Sequence, residues 1–306
     1  MGTSDYAVVC LQALAKSGHE VVSVVSQPDK PKNRGHKLMP TPVHAAADEL
    51  GLLVHQPETL RDGAFLPVLE AEQPDLIVVV AYGKILPKYI LEYPKLGCIN
   101  VHGSLLPKYR GAAPIQRAVL AGERVTGVTT MYMDVGLDTG DMILKKETEI
   151  GADETAAELC DRLAVLGAEA LIETAAMLEN GTAPREKQND AESTYAAMLD
   201  KAQAEIDWSL SAAEIKNLER GMNSWPLAYT YYKGARVKIG SVQVLENETR
   251  GAAGQVLYAN RTDGLCVRCG AGAVLVQTVQ FEGKKMMDVK SYLLGNSIEE
   301  YVILGV

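Results

Sequence analysis

Two polar side chains near the middle of the chain, Asn100 and His102, alternate with apolar residues in the segment CINVH. Residues two apart on a strand point to the same face, so both side chains would reach one site. An Asn amide can donate a hydrogen bond, and a His ring can hold or pass a proton. Such groups suit a reaction in which a negative oxygen develops, because preorganised hydrogen-bond donors stabilise that charge.

An acidic loop, DVGLDTGD at 134–141, carries carboxylates that could act on this histidine. A carboxylate beside an imidazole favours the cationic ring and fixes its orientation. The residue types alone do not choose among Asp134, Asp138 and Asp141. A lone histidine is more often structural than catalytic, so its role depends on where the surrounding elements place it.

Histidine and cysteine spacing does not indicate metal chemistry. The sequence contains neither H-x-H nor H-E-x-x-H, and no second histidine lies near His102. The five cysteines are scattered and odd in number, which does not suggest a disulfide framework. The pair CVRC at 266–269 lies in an alternating pattern typical of a strand, so we expect it to be structural.

Strand and helix patterns alternate through the first half of the chain. Strands are predicted over 20–26, 75–82, 98–102 and 126–134, and helices over 6–18, 41–51 and 113–122. This alternation predicts an α/β fold with a Rossmann-like open, mostly parallel sheet. Ligands of such sheets bind beyond the carboxyl ends of the strands. His102 ends the third strand, where a catalytic group is expected.

The second half of the chain has a different pattern. A long helix is predicted over 154–181, and short alternating strands broken by Gly, Asn and Asp follow residue 204. These strands are typical of a small OB-like antiparallel β-barrel. We therefore predict a catalytic domain over 1–183, a polar linker over 184–203 and a C-terminal domain over 204–306.

Composition restricts the class of protein. The 306 residues are 47% hydrophobic and 23% charged, which suits two globular domains. The sequence contains no apolar run long enough to span a bilayer and no signal-peptide pattern at its start, so a cytoplasmic protein is expected. The net charge of −9 argues against a generally basic nucleic-acid-coating protein. Residues 201–306 are near neutral, so only a locally basic face could hold a nucleic acid there.

The segments GCINVHGSLLPKYRGAAPIQRAVLAG (97–122) and TGVTTMYMDVGLDTGDMI (126–143) resemble the folate-dependent formyltransferases, and among them the methionyl-tRNA formyltransferase family. Further similar stretches are SQPDKPKNRGHKLMPTPV, LIVVVAYGKILP and IDWSLSAAEIKNLERGMNSWPLAYT. The resemblance covers nearly the whole chain, with the segments in the same order.

The resemblance implies both an activity and a set of site residues. Its catalytic trio falls on Asn100, His102 and Asp138, and its folate-contacting stretch on Ser104, Leu105, Leu106 and Pro107. The implied donor is 10-formyltetrahydrofolate, and the implied acceptor is the amino group of methionyl-initiator tRNA. No metal is implied, and the expected enzyme is a monomer.

The loop PDKPKNRGHK at 28–37 is rich in lysine and arginine. Charge runs are most often solvated surface. In the family the matching loop enters the acceptor end of tRNA, so the resemblance implies a tRNA-binding role for Arg34 and Lys37.

The start of the chain departs from the family pattern. The match begins at MGTSDYAV, and no hydrophobic strand precedes it. Loss of a central strand would leave a gap in the sheet with unpaired backbone groups. Either the recorded start is too late and five to ten residues are missing, which we expect, or the chain lacks this strand and folds poorly.

Other functions remain as alternatives. A formyltransferase acting on an amino sugar nucleotide shares both domains, although RGAAPIQ and MDVGLDTGD resemble the tRNA enzyme more. A glycinamide formyltransferase would lack the C-terminal barrel. A non-catalytic folate- or RNA-binding protein would not need the intact trio.

Overall fold

The computed structural model describes residues 1–32 and 37–305. The chain forms two compact units. The N-terminal unit comprises Met1–Pro114, Val125–Glu149 and Leu159–Ala197, and the C-terminal unit comprises Ile115–Arg124, Ile150–Glu158 and Met198–Val306. The predicted domains differ from these units in two respects. Much of the predicted linker belongs to the N-terminal unit, and two short segments cross over to the C-terminal unit.

Helices lie at all four positions predicted above, and further helices occur between and after these positions. The helices are α1 (Asp5–Lys16), α2 (Pro42–Glu49), α3 (Leu66–Glu72), α4 (Lys88–Leu91), α5 (Pro114–Leu120), α6 (Ala156–Glu179), α7 (Ala212–Gly221) and α8 (Val289–Leu293). Helix α2 begins after Thr41, whose side chain accepts a hydrogen bond from the backbone of His44. Helix α7 begins with a complete capping box between Ser211 and Glu214.

Strands of two to eleven residues occur along the chain. They are β1 (Val24–Val25), β2 (Lys30–Lys32), β3 (Lys37–Met39), β4 (Val54–His55), β5 (Ile77–Val79), β6 (Cys98–His102), β7 (Arg110–Gly111), β8 (Val125–Tyr132), β9 (Met142–Glu149), β10 (Tyr195–Ala196), β11 (Tyr229–Tyr232), β12 (Ala235–Leu245), β13 (Val256–Asn260), β14 (Gly264–Arg268), β15 (Ala273–Phe281) and β16 (Met287–Asp288).

The main sheet of the N-terminal unit has the order β5-β6-β8-β9. Strand β6 is parallel to β5 but antiparallel to β8, with His102 opposite Thr129. Most of α5, which connects β6 to β8, belongs to the C-terminal unit. The connection is therefore not a βαβ crossover, the unit that makes neighbouring strands parallel. Strands β1 and β4 form a separate parallel pair.

Met1 and Gly2 lie between β1 and β5. The Gly2 N–H donates to Val25 O at 2.9 Å, and the Val80 N–H donates to Met1 O at 2.9 Å. The Met1 amino group donates to Val78 O at 2.6 Å. Its burial lowers the pKa of this amine to about 6. The chain start thus forms a short piece of parallel ladder between the two strands.

A cavity of about 390 Å³ continues along the same line. One wall is formed by Val21 to Val25 and another by Leu76 to Val78. The cavity therefore lies between β1 and β5, whose residues form part of both walls.

The C-terminal unit is built on one antiparallel sheet of order β11-β12-β15-β14-β13, with β16 added to β15. The curled sheet forms a half-barrel around a core that includes Trp208, Ile215 and Val276. Together with the N-terminal unit, this confirms the predicted fold class. Cys266 and Cys269 are free and buried on β14 and just after it. Burial raises the pKa of the Cys269 thiol to about 12, which agrees with a structural role.

In the part of the chain that the structure describes, every helix is too short or too polar to cross a membrane.

Candidate active site

Strand β6 presents Asn100 and His102 from the same face of the sheet, at its carboxyl end. The Asn100 side chain is half-buried, and within residues 1–32 and 37–305 its amide makes no hydrogen bond. An amide with free donors at the end of a strand can bind an oxygen of a ligand. His102 is only 5% exposed.

Both ring nitrogens of His102 face acceptors. Nε2 lies 2.9 Å from the backbone oxygen of Tyr109. Because a carbonyl oxygen can only accept, Nε2 carries the hydrogen in this arrangement. Nδ1 lies 3.7 Å from Oδ2 of Asp138, just beyond hydrogen-bond distance. The imidazole is therefore oriented between a backbone carbonyl and a carboxylate.

Asp138 is the member of the acidic loop that reaches the histidine. Its Oδ2 accepts the Gly111 N–H at 2.9 Å. Its backbone has a φ of 53°, a left-handed conformation that few residues adopt. Asp134 instead caps its own turn by accepting from Gly136 N and Thr139 Oγ1, and Asp141 pairs with Arg185 at 3.5 Å.

The stretch from Ser104 to Pro107 is anchored to β8. Thr129 Oγ1 donates to Ser104 O at 2.7 Å and accepts the Leu106 N–H at 3.1 Å. Ser104 and Leu106 are fully buried, whereas Leu105 and Pro107 are half-buried. A ligand at this stretch would therefore meet the apolar side chains of Leu105 and Pro107.

The strip Tyr109–Gly111 supplies a backbone partner to the side chains of both His102 and Asp138. Gly111 has a φ of 117°, and an added Cβ there would lie 2.8 Å from Ala196 O. Strand β7 within this strip pairs in parallel with β10, so Arg110 lies beside Tyr195 and Gly111 beside Ala196. Residue patterns did not reveal this strip as part of the site, since its contribution comes from backbone atoms.

Gln188 is a second residue of the site that the sequence analysis missed. Its Nε2 donates to Asp138 O and to Gly140 O, both at 2.8 Å. Its Oε1 accepts from Arg110 Nε at 2.9 Å. The residue lies in the segment predicted as a linker, and a polar segment gives no sign that one of its amides holds a loop.

The remaining sequence predictions concern metal and tRNA. Among the described residues, no group of three or more His, Cys, Asp or Glu side chains is arranged to hold a metal ion. Arg34 and the side chain of Lys37 lie outside the described residues. The catalytic, folate-binding and tRNA-binding roles of the named residues stay predictions.

Comparison with protein families gives two matches that together span most of the chain. Residues 1–175 match the family described as "Formyl transferase". Residues 198–297 match "Formyl transferase, C-terminal domain".

Curated relatives match over the full chain. A methionyl-tRNA formyltransferase of Alkaliphilus metalliredigens is 55% identical over 305 residues, covering 100% of this chain and 97% of the relative. One from Clostridioides difficile is 50% identical over 305 residues, covering 100% of this chain and 98% of the relative.

Among solved structures, an N-formyltransferase from Helicobacter canadensis in complex with folinic acid and dTDP-3-aminofucose has a TM-score of 0.64 at 20% identity. The alignment covers 90% of this chain and 97% of that one. At this identity the likeness concerns the fold alone. The two family matches and the high identity over the whole length of the relatives establish that the chain belongs to the formyl transferase family, in its methionyl-tRNA formyltransferase branch.

Proposed function

We propose that this protein transfers the formyl group of 10-formyltetrahydrofolate to the amino group of methionyl-initiator tRNA, a step in the initiation of translation. The observation that carries the proposal is the grouping of Asn100, His102 and Asp138 at the end of β6, in a chain whose full-length relatives at 44 to 55% identity are methionyl-tRNA formyltransferases.

The proposed reaction begins with attack of the neutral methionyl amine on the formyl carbon. A C–N bond forms and the formyl oxygen becomes negative. The Asn100 amide, whose donors are unbonded among the described residues, would donate to that oxygen. The N–H of His102 that faces Tyr109 O would turn from the carbonyl to the oxyanion as charge develops. Loss of one such donor typically costs about 3 kcal/mol of transition-state stabilisation.

Completion of the transfer requires a proton to move. The attacking nitrogen must lose a proton, and folate N10 must gain one as its bond to the formyl carbon breaks. Asp138, fixed by the Gly111 N–H and 3.7 Å from His102, would hold the ring in place and pass the proton through water. The half-buried Leu105 and Pro107 would contact the folate ring.

The direct test is incubation of the purified protein with 10-formyltetrahydrofolate and charged initiator tRNA, with formylmethionine as the measured product. The proposed mechanism expects His102→Ala to lose at least about a hundredfold in kcat/KM. His19→Ala, in the loop that follows α1, is the matched histidine control and should keep wild-type activity. Near-normal formylation by His102→Ala would contradict the mechanism.

The alternative acceptor is an amino sugar nucleotide. It is supported only by likeness of fold, since the sugar enzymes match at about 20% identity. Offering this acceptor in the same assay separates the two functions. Formylation of the sugar amine without formylmethionine would replace the proposed function by the alternative.

The proposal also covers the location and the oligomeric state of the enzyme. We place it in the cytoplasm, where translation begins, and as a monomer that binds one tRNA. Light scattering of the purified protein at micromolar concentration, with and without tRNA, tests the stoichiometry.

A further inference from the structure

We infer that Gln188 is a positioning residue, which holds Asp138 at its place beside His102 by tying the acidic loop to Arg110. This inference deepens the proposed function and rests on it. Gln188 touches neither His102 nor the carboxylate of Asp138, so its effect on the reaction would be exerted through the backbone of the acidic loop.

The loop that carries Asp138 needs an external support. Among the described residues, the Asp134 side chain accepts two hydrogen bonds within the turn, the Tyr132 N–H donates to Asp141 O at its base, and Asp138 itself adopts a left-handed backbone conformation. The amide of Gln188 binds the carbonyl oxygens of Asp138 and Gly140, which lie on either side of Thr139. Two hydrogen bonds from one NH2 group hold the backbone on both sides of Thr139 and so restrict both the position and the orientation of this part of the loop.

The other end of the Gln188 amide is fixed by Arg110. Arg110 Nε donates to Gln188 Oε1 at 2.9 Å, and its guanidinium also pairs with Asp190 at 2.8 Å. The backbone of Arg110 is bonded to Thr194 O at 2.9 Å and lies in the β7–β10 pair. Arg110 is thus held at both its backbone and its side chain, which makes it a rigid anchor for the amide.

The same anchor strip also holds the histidine. Tyr109 O binds His102 Nε2, and Gly111 N binds Asp138 Oδ2, one residue on each side of Arg110. His102 and Asp138 therefore both bind the strip Tyr109–Gly111, and Gln188 adds a second link between this strip and the acidic loop. Without it, Asp138 would be tied to that strip by its carboxylate alone.

Only an amide has the required chemistry at this position. It donates twice to carbonyl oxygens and accepts once from a guanidinium. A carboxylate would still accept from Arg110 but would face two carbonyl oxygens with no hydrogen to offer. Gln188→Glu replaces the NH2 group by an oxygen. It removes the two hydrogen bonds to the loop while keeping the contact to Arg110.

The test is a double-mutant cycle on formylation kinetics. Gln188→Ala and Gln188→Glu are expected to lower kcat by about ten- to a hundredfold, the typical cost of a small displacement of a catalytic group. A positioning role predicts that KM for both substrates changes little, because Gln188 would act through the backbone of the acidic loop. Asn189→Ala is the matched control, since it removes a neighbouring amide whose bonds among the described residues are to Glu192 and Ala191 of its own turn.

The cycle partner is Asp138→Ala. If Gln188 acts through Asp138, then Gln188→Ala should cause almost no further loss of kcat in the Asp138→Ala background. Equal loss in both backgrounds would overturn the inference, as would full activity of Gln188→Glu. The Tm of each variant identifies any general loss of stability. If the Tm of Gln188→Ala or Gln188→Glu lies far below that of Asn189→Ala, the kinetics are repeated with Gln188→Met, which has a side chain of similar length without the amide.

The activity of the wild-type protein distinguishes an error in the proposed function from an error in the role of Gln188. A wild-type protein that forms no formylmethionine refutes the proposed function and this inference with it. An active wild type with additive variants refutes the positioning role alone.

Discussion

The backbone oxygen of Tyr109 lies 2.9 Å from Nε2 of His102, so the ring nitrogen best placed to donate is already bonded to the protein. In the free enzyme this contact keeps the imidazole buried and oriented. During the reaction the carbonyl and the developing oxyanion would compete for the same hydrogen. The Asn100 amide, which makes no hydrogen bond to any residue that the structure describes, meets no such competition there and is the more readily available donor.

Asn100→Ala should therefore reduce kcat/KM by about a hundredfold, and Asn100→Asp should reduce it further. The first variant removes a donor, and the second also sets a negative charge beside the developing oxyanion. Steady-state formylation assays measure both. Asn180→Ala, which removes an exposed amide at the end of α6, serves as the control. An Asn100→Asp variant as active as Asn100→Ala would speak against charge development next to this side chain.

Gly111→Ala should destabilise the N-terminal unit and reduce activity together. The φ of 117° is unfavourable for any residue with a Cβ, and the added carbon would lie 2.8 Å from Ala196 O. The matched control is Gly181→Ala, which has a φ of 68° and open space around the Cβ position. We expect the control to cost about 1 kcal/mol and Gly111→Ala clearly more. Urea unfolding measures both, and equal costs would show that the close approach to β10 is unimportant.

Stability of the C-terminal unit should fall as the pH rises from about 5 to 8. Glu219 on α7 is 3% exposed, and burial raises its pKa to about 7, against the opposing effect of Lys216. Because the folded state holds the proton more tightly than the unfolded state, the unfolding free energy decreases with pH between the unfolded pKa and the folded one. The cost above pH 7 is on the order of 3 kcal/mol.

Glu219→Gln should flatten this pH dependence and stabilise the protein at pH 8. Lys216 keeps Asp153 at 3.1 Å, and Arg220 keeps the carbonyls of Gly151 and Glu154, so neither cation loses all its partners. Denaturant unfolding at several pH values gives the comparison, with the exposed Glu246→Gln as control. A Glu219→Gln variant that follows the wild-type curve would assign the pH dependence to another group.

Affinity for tRNA should fall steeply with salt concentration, and less steeply in an Arg34→Ala, Lys37→Ala variant. Each phosphate contact contributes roughly 0.7 to 0.9 to the slope of log affinity against log salt, so loss of two contacts should reduce the slope by about 1.5. Lys88→Ala, Lys95→Ala removes the same charge from exposed ion pairs elsewhere. An unchanged slope in the loop variant, or an equal reduction in the control, would remove the loop from the tRNA interface.

The elements that carry the site were predicted from the sequence, because apolar alternation and helix caps depend on residues close together in the chain. Strand β6 has its predicted bounds, and α2 lies within its predicted range between the Thr41 cap and Gly51. The direction of β8 could not be predicted in this way, because strand direction depends on the path of α5 and not on the residues of β8. The shared face of Asn100 and His102 followed from their spacing alone.

The rest of the site depends on contacts distant in the sequence. Asp138 was chosen by resemblance, since no pattern of residue types reveals which aspartate of a loop turns back towards β6. Gln188 and Arg110 are 78 residues apart, and neither stands out without the fold. A polar segment between two domains is easily interpreted as a flexible linker. Here the Gln188 amide in that segment hydrogen-bonds the acidic loop.

The ladder formed by Met1 and Gly2 bears on how the protein can be handled. A fluorophore attached at residue 1 or 2 would disturb the hydrogen bonds that the Gly2 N–H makes to Val25 O and that Met1 O accepts from the Val80 N–H, beside the cavity lined by β1 and β5. Such a label would alter the sheet that supports β6 and, through it, His102. Immobilisation chemistry and reporters are better attached at exposed side chains remote from this cavity, such as Lys88, where they leave the interior of the sheet undisturbed.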